Sequence, residues 1–112
     1  MRRVILESPY AGNVEENVAY ARAAVRDSLL RGESPIASHL LRILKDSVPD
    51  ERQLGIEAGL AWRFVAEASV VYQDLGITPG MRRGIEAAET AGVPVEYRNL
   101  ASFRTQKGRA AR

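Results

Sequence analysis

The chain has 112 residues, 46% hydrophobic and 27% charged, with 16 basic and 14 acidic side chains and no cysteine. Such a length bounds it to one small domain able to bury a core, and the absence of cysteine excludes a disulfide framework, a thiolate nucleophile and a cysteine-based metal centre. No apolar run approaches the ~20 residues of a membrane span. Glu7 interrupts Val4-Ile5-Leu6 before a signal-peptide core develops, so a cytoplasmic protein without membrane contact is expected.

Charge is unevenly placed. Arg104, Lys107, Arg109 and Arg112 lie in residues 101–112 with no acid among them, which leaves residues 1–100 with 12 basic and 14 acidic groups. The expected organisation is therefore a slightly acidic domain over residues 1–100 and a basic tail over 101–112. A short basic end reads first as a solvated terminus, and nucleic acid is not the expected partner.

Val4-Ile5-Leu6 is β-branched and apolar and runs into the turn formers Ser8-Pro9-Tyr10-Ala11-Gly12-Asn13, predicting a strand and then a loop. Asn13 with Glu16 predicts a capped helix start, and Val14, Val18, Ala21, Val25 and Leu29 mark an apolar lane ending near Gly32. Pro35-Ile36-Ala37-Ser38 reads as a second strand with His39 just beyond it. A helix between about Asp50 and Ala66 carries a broad apolar face, with Trp62 expected to pack on the sheet. Ala68-Ser69-Val70-Val71-Tyr72 is a third strand, and Thr78-Pro79 caps a helix whose buried face is Met81, Ile85 and Ala88. Val93-Pro94-Val95-Glu96-Tyr97 is the fourth strand. The alternation of strand and helix predicts an α/β, flavodoxin- or Rossmann-like three-layer sandwich on a small, mainly parallel four-stranded sheet.

In such sheets ligands bind beyond the carboxyl ends of the strands. That rule selects Ser8, Tyr10, Gly12 and Asn13 in the first loop, His39 after the second strand, and Gly76, Thr78, Gly80, Met81 and Arg82 around the third helix start. Two helix N-termini at one edge favour an anion through their free N–H groups and dipoles. Tight turns with helix caps explain the same residues without a ligand. Tyr10 and Tyr72 are candidates to stack on a base, Tyr72 reading equally as a core residue. His39 suits acid, base or phosphate-donor work but, as the sole histidine, holds no metal by itself. Glu7, Glu57, Asp74 and Glu86 are the carboxylates nearest this edge, and the face of Glu7 depends on the pleat.

Together, Val4-Ile5-Leu6-Glu7-Ser8-Pro9-Tyr10-Ala11-Gly12 with the Asn17-Val18-Ala19-Tyr20-Ala21-Arg22 helix, Pro35-Ile36-Ala37-Ser38-His39-Leu40-Leu41, and Gly76-Ile77-Thr78-Pro79-Gly80-Met81 resemble the nucleoside 2-deoxyribosyltransferase-like superfamily over residues 3–98. This superfamily includes nucleoside 5′-monophosphate N-glycosidases and many uncharacterised phage and bacterial domains, and the chain looks closer to the latter. The resemblance implies that Tyr10, Gly12 and Asn13, with Gly76, Thr78 and Gly80, hold a sugar and any 5′-phosphate. It implies homo-oligomers, most simply a dimer, and the broad apolar face of the second helix makes that helix the expected contact. Where the enzymes of the superfamily carry their catalytic glutamate this chain has Arg82, and where they carry an aspartate it has Gly59. Arginine neither attacks carbon nor serves as a base, but it clamps phosphate.

The expected function is thus a nucleotide-binding domain, sequestering or sensing its ligand, that lacks the usual catalytic carboxylates. One alternative is a hydrolase or transferase, an N-glycosidase or deoxyribosyltransferase with its carboxylate relocated to Asp74, Glu57 or Glu86. Another is a non-catalytic interaction module. No cofactor or metal is implied by the residues.

Overall fold

A computed structural model of the chain describes residues 1–37, 57–59 and 61–100. In chain order the elements are β1 (Arg2–Glu7), α1 (Val14–Leu30), β2 (Glu33–Ala37), a 3-10 turn (Trp62–Phe64), β3 (Ala68–Tyr72), α2 (Pro79–Thr90) and β4 (Val95–Arg98). Residues 57–59 and 61, just before the 3-10 turn, are helical.

The strands form one sheet in the order β2-β1-β3-β4, and every pairing is parallel. Leu6 is the register partner of both Ala37 and Val70, and Tyr72 that of Arg98. A parallel sheet needs cover on both faces, and β3, which follows a near-continuous apolar run, is buried at every residue. On one face Val4, Leu6, Ala68, Val70 and Tyr72 pack with Tyr20 and Ala24 of α1 and with Leu100. On the other, Val71 packs with Met81 and Ile85 of α2. This is the three-layer α/β sandwich that the alternating elements predict. Its order sends the chain from β1 outward to β2 and from β3 outward to β4, so the connections diverge between β1 and β3.

Several local expectations need correction. The buried lane of α1 is Asn17, Tyr20, Ala21, Ala24 and Ser28, while Val14 and Leu29 are exposed. Small residues let the helix lie close to the sheet, and the two larger polar ones find partners: Asn17 donates to the Tyr10 and Ala11 carbonyls at 3.0 and 2.9 Å. Trp62 is 48% exposed, and Arg63 is the buried member of the 3-10 turn. β2 begins at Glu33, two residues before the expected start, and β4 extends to Arg98.

Both shifted boundaries have one cause. Arg98 donates from Nη1 to Glu33 Oε1 and from Nη2 to Glu33 Oε2, each at 2.7 Å, with both side chains 6% exposed. Ser28 Oγ adds a bond to Oε1 at 2.8 Å, and Arg98 Nη1 reaches the Tyr72 hydroxyl at 3.1 Å, which itself donates to Asp27 at 2.7 Å. A planar fork meeting a carboxylate in this way satisfies both charges, so the pair is tolerated where an unpaired one would not be. These contacts hold Glu33 at about 2, well below the ordinary carboxylate value of 4.5, first through the Arg98 hydrogen bonds and then, against burial, through Ser28. Burial, reinforced by the bond to Asp27 and partly offset by Arg98, pushes the Tyr72 phenol up to about 12.

Acid should therefore unfold the protein in a defined window. Between pH 4.5 and about 2 the unfolded chain protonates Glu33 while the folded chain does not. Stability consequently falls as pH drops through that interval. Thermal melts from pH 5 to pH 2 are expected to show a falling Tm whose slope flattens in Glu33→Gln; an unchanged slope in the variant would remove Glu33 as the cause.

Candidate functional site

The first strand-to-helix loop is shaped by its own polar residues. Asn13 caps α1 by accepting from the Glu16 N–H at 3.1 Å, and the paired bonds from Asn17 pin the loop carbonyls just before it. Gly12 has φ +100°, a left-handed conformation in which a side chain would be strained. Ser8 is buried, Tyr10 is half-buried and Gly12 is exposed.

The loop after β3 is built in the same manner. Gly76 has φ +91° and closes a turn by donating to the Gln73 carbonyl at 2.9 Å. Thr78 Oγ1 accepts from the Met81 N–H at 3.2 Å, and the Thr78 N–H points to Met81 Sδ at 3.5 Å. With Pro79 following the cap, α2 starts here. Gly80 is half-buried and Arg82 exposed, but Met81 is 2% exposed and belongs to the core cluster. The two loops follow adjacent strands, so both helix N-termini open at the carboxyl edge of the sheet where the connections diverge.

Among the candidate carboxylates, Asp74 is held most firmly. Its Oδ2 accepts from the Tyr20 hydroxyl at 2.5 Å and from the Leu100 N–H at 2.8 Å, and its own N–H donates to the Tyr20 oxygen at 2.9 Å. Oδ1 is buried with no hydrogen-bond partner. Burial and the bond to Asp74 push the Tyr20 phenol far above its ordinary value of 10. Glu57 and Glu86 are both exposed. Tyr72 is fully buried with its hydroxyl committed to Asp27 and Arg98, so it stands in the core and does not line the loop edge. His39 lies outside the described residues.

Glu7 and Arg63 form a constellation the sequence does not expose. The pleat turns Glu7, at the end of β1, toward α2, where it accepts from Arg63 Nη2 at 2.8 Å; both side chains are 7% exposed. The backbone of α2 closes over them at Gly84, where a Cβ would collide with Glu7 Oε2 and stand 2.6 Å from its Cδ and 2.9 Å from Arg63 Nη2. Only glycine fits. The separation of 56 positions between the partners and a glycine inside an amphipathic helix leave no local pattern to read. Among the described residues no group of three or more His, Cys, Asp or Glu side chains is placed to hold a metal, and no helix is long and apolar enough to cross a membrane.

Fold and loop placement together define a small α/β domain with two helix starts at the carboxyl edge of a parallel sheet. The chain belongs to the family described as "Domain of unknown function (DUF7768)", which matches residues 2–98. Among solved structures it is similar to the 2-deoxyribosyltransferase of the psychrotolerant bacterium Bacillus psychrosaccharolyticus. That likeness has a TM-score of 0.65 at 17% identity, covering 87% of this chain and 72% of that one. At this identity the likeness is one of fold. No curated protein matches the chain.

Gly84→Ala offers a test of the packing. Helix propensity alone favours alanine by about 1 kcal/mol, whereas overpacking against a pinned ion pair costs roughly 1–3 kcal/mol. Urea denaturation is expected to show net destabilisation; a more stable variant would mean that Glu7 and Arg63 yield freely.

Proposed function

We propose that this protein is a nucleotide-binding domain that holds the phosphate of a nucleoside phosphate at the paired N-termini of α1 and α2, sequestering or sensing the ligand. The observation that carries this reading is the opening of two capped helix starts at the carboxyl ends of adjacent parallel strands, where the connections diverge. Exposed Arg82, in the first turn of α2, adds a bidentate donor for phosphate. Tyr10 supplies an aromatic face for the base, and His39, which follows the second strand in sequence, is a further candidate donor. The domain extends over residues 1–100 with the basic tail beyond it, it acts in the cytoplasm, and nucleic acid is not its partner.

Incubation with nucleoside mono-, di- and triphosphates, followed by mass spectrometry of filtrate and denatured protein, tests the reading. One nucleotide retained stoichiometrically and recovered intact is expected, with retention reduced about tenfold or more in Arg82→Ala, as for a lost charge-assisted contact. If no nucleotide is retained or altered, the reading fails.

Release of free base would instead favour an N-glycosidase or deoxyribosyltransferase. Asp74 is the observation behind that second reading, because one carboxylate oxygen is fixed by two donors while the other has no partner. Asp74→Asn would then abolish base release without loss of a cooperative melt. Glu57 and Glu86, both exposed, are the weaker seats for such chemistry.

A homodimer completes the proposal. Trp62, Phe64 and Val65 are 48, 87 and 45% exposed, an apolar cluster at the end of the second helical segment. Sedimentation velocity at micromolar concentration is expected to give a dimer that Phe64→Glu converts to monomer; a monomeric parent protein would refute it.

A further inference from the structure

The helix starts at the carboxyl edge carry opposite charges. The first turn of α1 holds Glu15 and Glu16, both exposed, whereas α2 opens on exposed Arg82 and Arg83 with no acid in its first turn. None of these four makes an ion pair among the described residues, so each acts on whatever approaches the edge. Helix dipoles and Arg82 suffice to seat one phosphate. A chain of two or three phosphates brings more negative charge than the two arginines, set against Glu15 and Glu16, can offset.

Further cations follow in the chain from the same edge. β4 runs parallel to the other strands, so the residues after Arg98 leave at the carboxyl end of the sheet. Leu100 is fixed there: it is 4% exposed, packs in the cluster that contains Tyr20 and Ala24 of α1, and donates its N–H to Asp74 Oδ2 at 2.8 Å. Asp74 stands in the loop that leads to the Thr78 cap of α2, so the anchor ties this exit to both helices. Beyond it, residues 101–112 carry Arg104, Lys107, Arg109 and Arg112 and no acid, against 12 basic and 14 acidic groups in residues 1–100. Four residues of chain span at most about 13–14 Å, which bounds the distance of the first of these cations from the anchor.

We propose that residues 101–112 belong to the nucleotide site and make it selective for nucleoside di- and triphosphates over monophosphates. The phosphate next to the sugar lies at the helix starts, and the cations beyond Leu100 meet the terminal phosphates. Three of the four are arginines, whose planar forks suit phosphate oxygens. This rests on the nucleotide reading above and deepens it by naming the phosphate class.

Isothermal titration of the full chain with the mono-, di- and triphosphates of each common nucleoside, without divalent cations, tests the assignment. For the preferred base the triphosphate is expected to bind about tenfold more tightly than the monophosphate at low salt, a margin that narrows as salt screens the added charges. Replacing Arg104, Lys107, Arg109 and Arg112 together by Gln is expected to compress the ratio to within about threefold. These substitutions all lie beyond Leu100 and leave the anchor intact. A triphosphate carrying a photoreactive azidoanilide on its terminal phosphate is expected to crosslink to residues 101–112, as read by peptide mass spectrometry. Equal affinity for mono- and triphosphate in the unmodified protein, a ratio the variant does not move, or crosslinks confined to residues 1–100 overturns this role while leaving the nucleotide reading standing. A single-stranded oligonucleotide bound by the full chain and lost in the variant, with no preference along the phosphate series, would assign the segment to nucleic acid and overturn it too. Failure of every nucleotide to bind overturns both readings.

Discussion

The bidentate contact between Arg98 and Glu33 joins β4 to β2, the two edges of the sheet, across the face that α1 covers. A four-stranded parallel sheet has little hydrogen bonding to spare at its edges, and here the side chains tie the edges to one another. The same guanidinium reaches the Tyr72 hydroxyl and lies 5.7 Å from its ring centroid, and that hydroxyl holds Asp27 near the end of α1. Removal of either charge would strand the other in the interior, a loss of about 3–5 kcal/mol, a large fraction of the stability of a domain this small. The seating of α1 and the level of β2 both depend on this contact.

With the sheet so constrained, the carboxyl edge is free to be irregular. Its loops carry left-handed glycines, side-chain caps and an aspartate clamped by a tyrosine and a backbone N–H, all of which hold backbone shape without regular pairing. Capped helix starts of this kind are rigid before any ligand arrives, which lowers the ordering cost of binding. Arg63, paired with Glu7 at this same edge, keeps a buried Nε–H with no partner among the described residues. Departures from full satisfaction of buried polar groups concentrate where a protein meets something other than itself.

The likeness to a deoxyribosyltransferase belongs to the backbone. Of the two positions where the resemblance in sequence expects carboxylates, Gly59 is buried and Arg82 is exposed. Fold alone does not carry an activity, so the chemistry of these particular side chains has to be asked directly.

Much of this architecture was legible in the residues. The apolar run of β3, the Asn13 and Thr78 caps, the Met81, Ile85 and Ala88 face and the alternation of elements all depend on neighbours a few positions apart, and local spacing is what a sequence displays. The position of the loops Ser8 to Asn13 and Asp74 to Gly80 at one edge followed from the parallel topology. Tertiary structure alone decided the rest. The buried lane of α1 turned on which of its polar side chains found partners, Trp62 came out toward solvent while Arg63 went in, and Glu7 met Arg63 under Gly84. Buried charges of this sort are stable only because a partner far along the chain is brought within hydrogen-bond distance, and no periodicity in a sequence encodes that encounter.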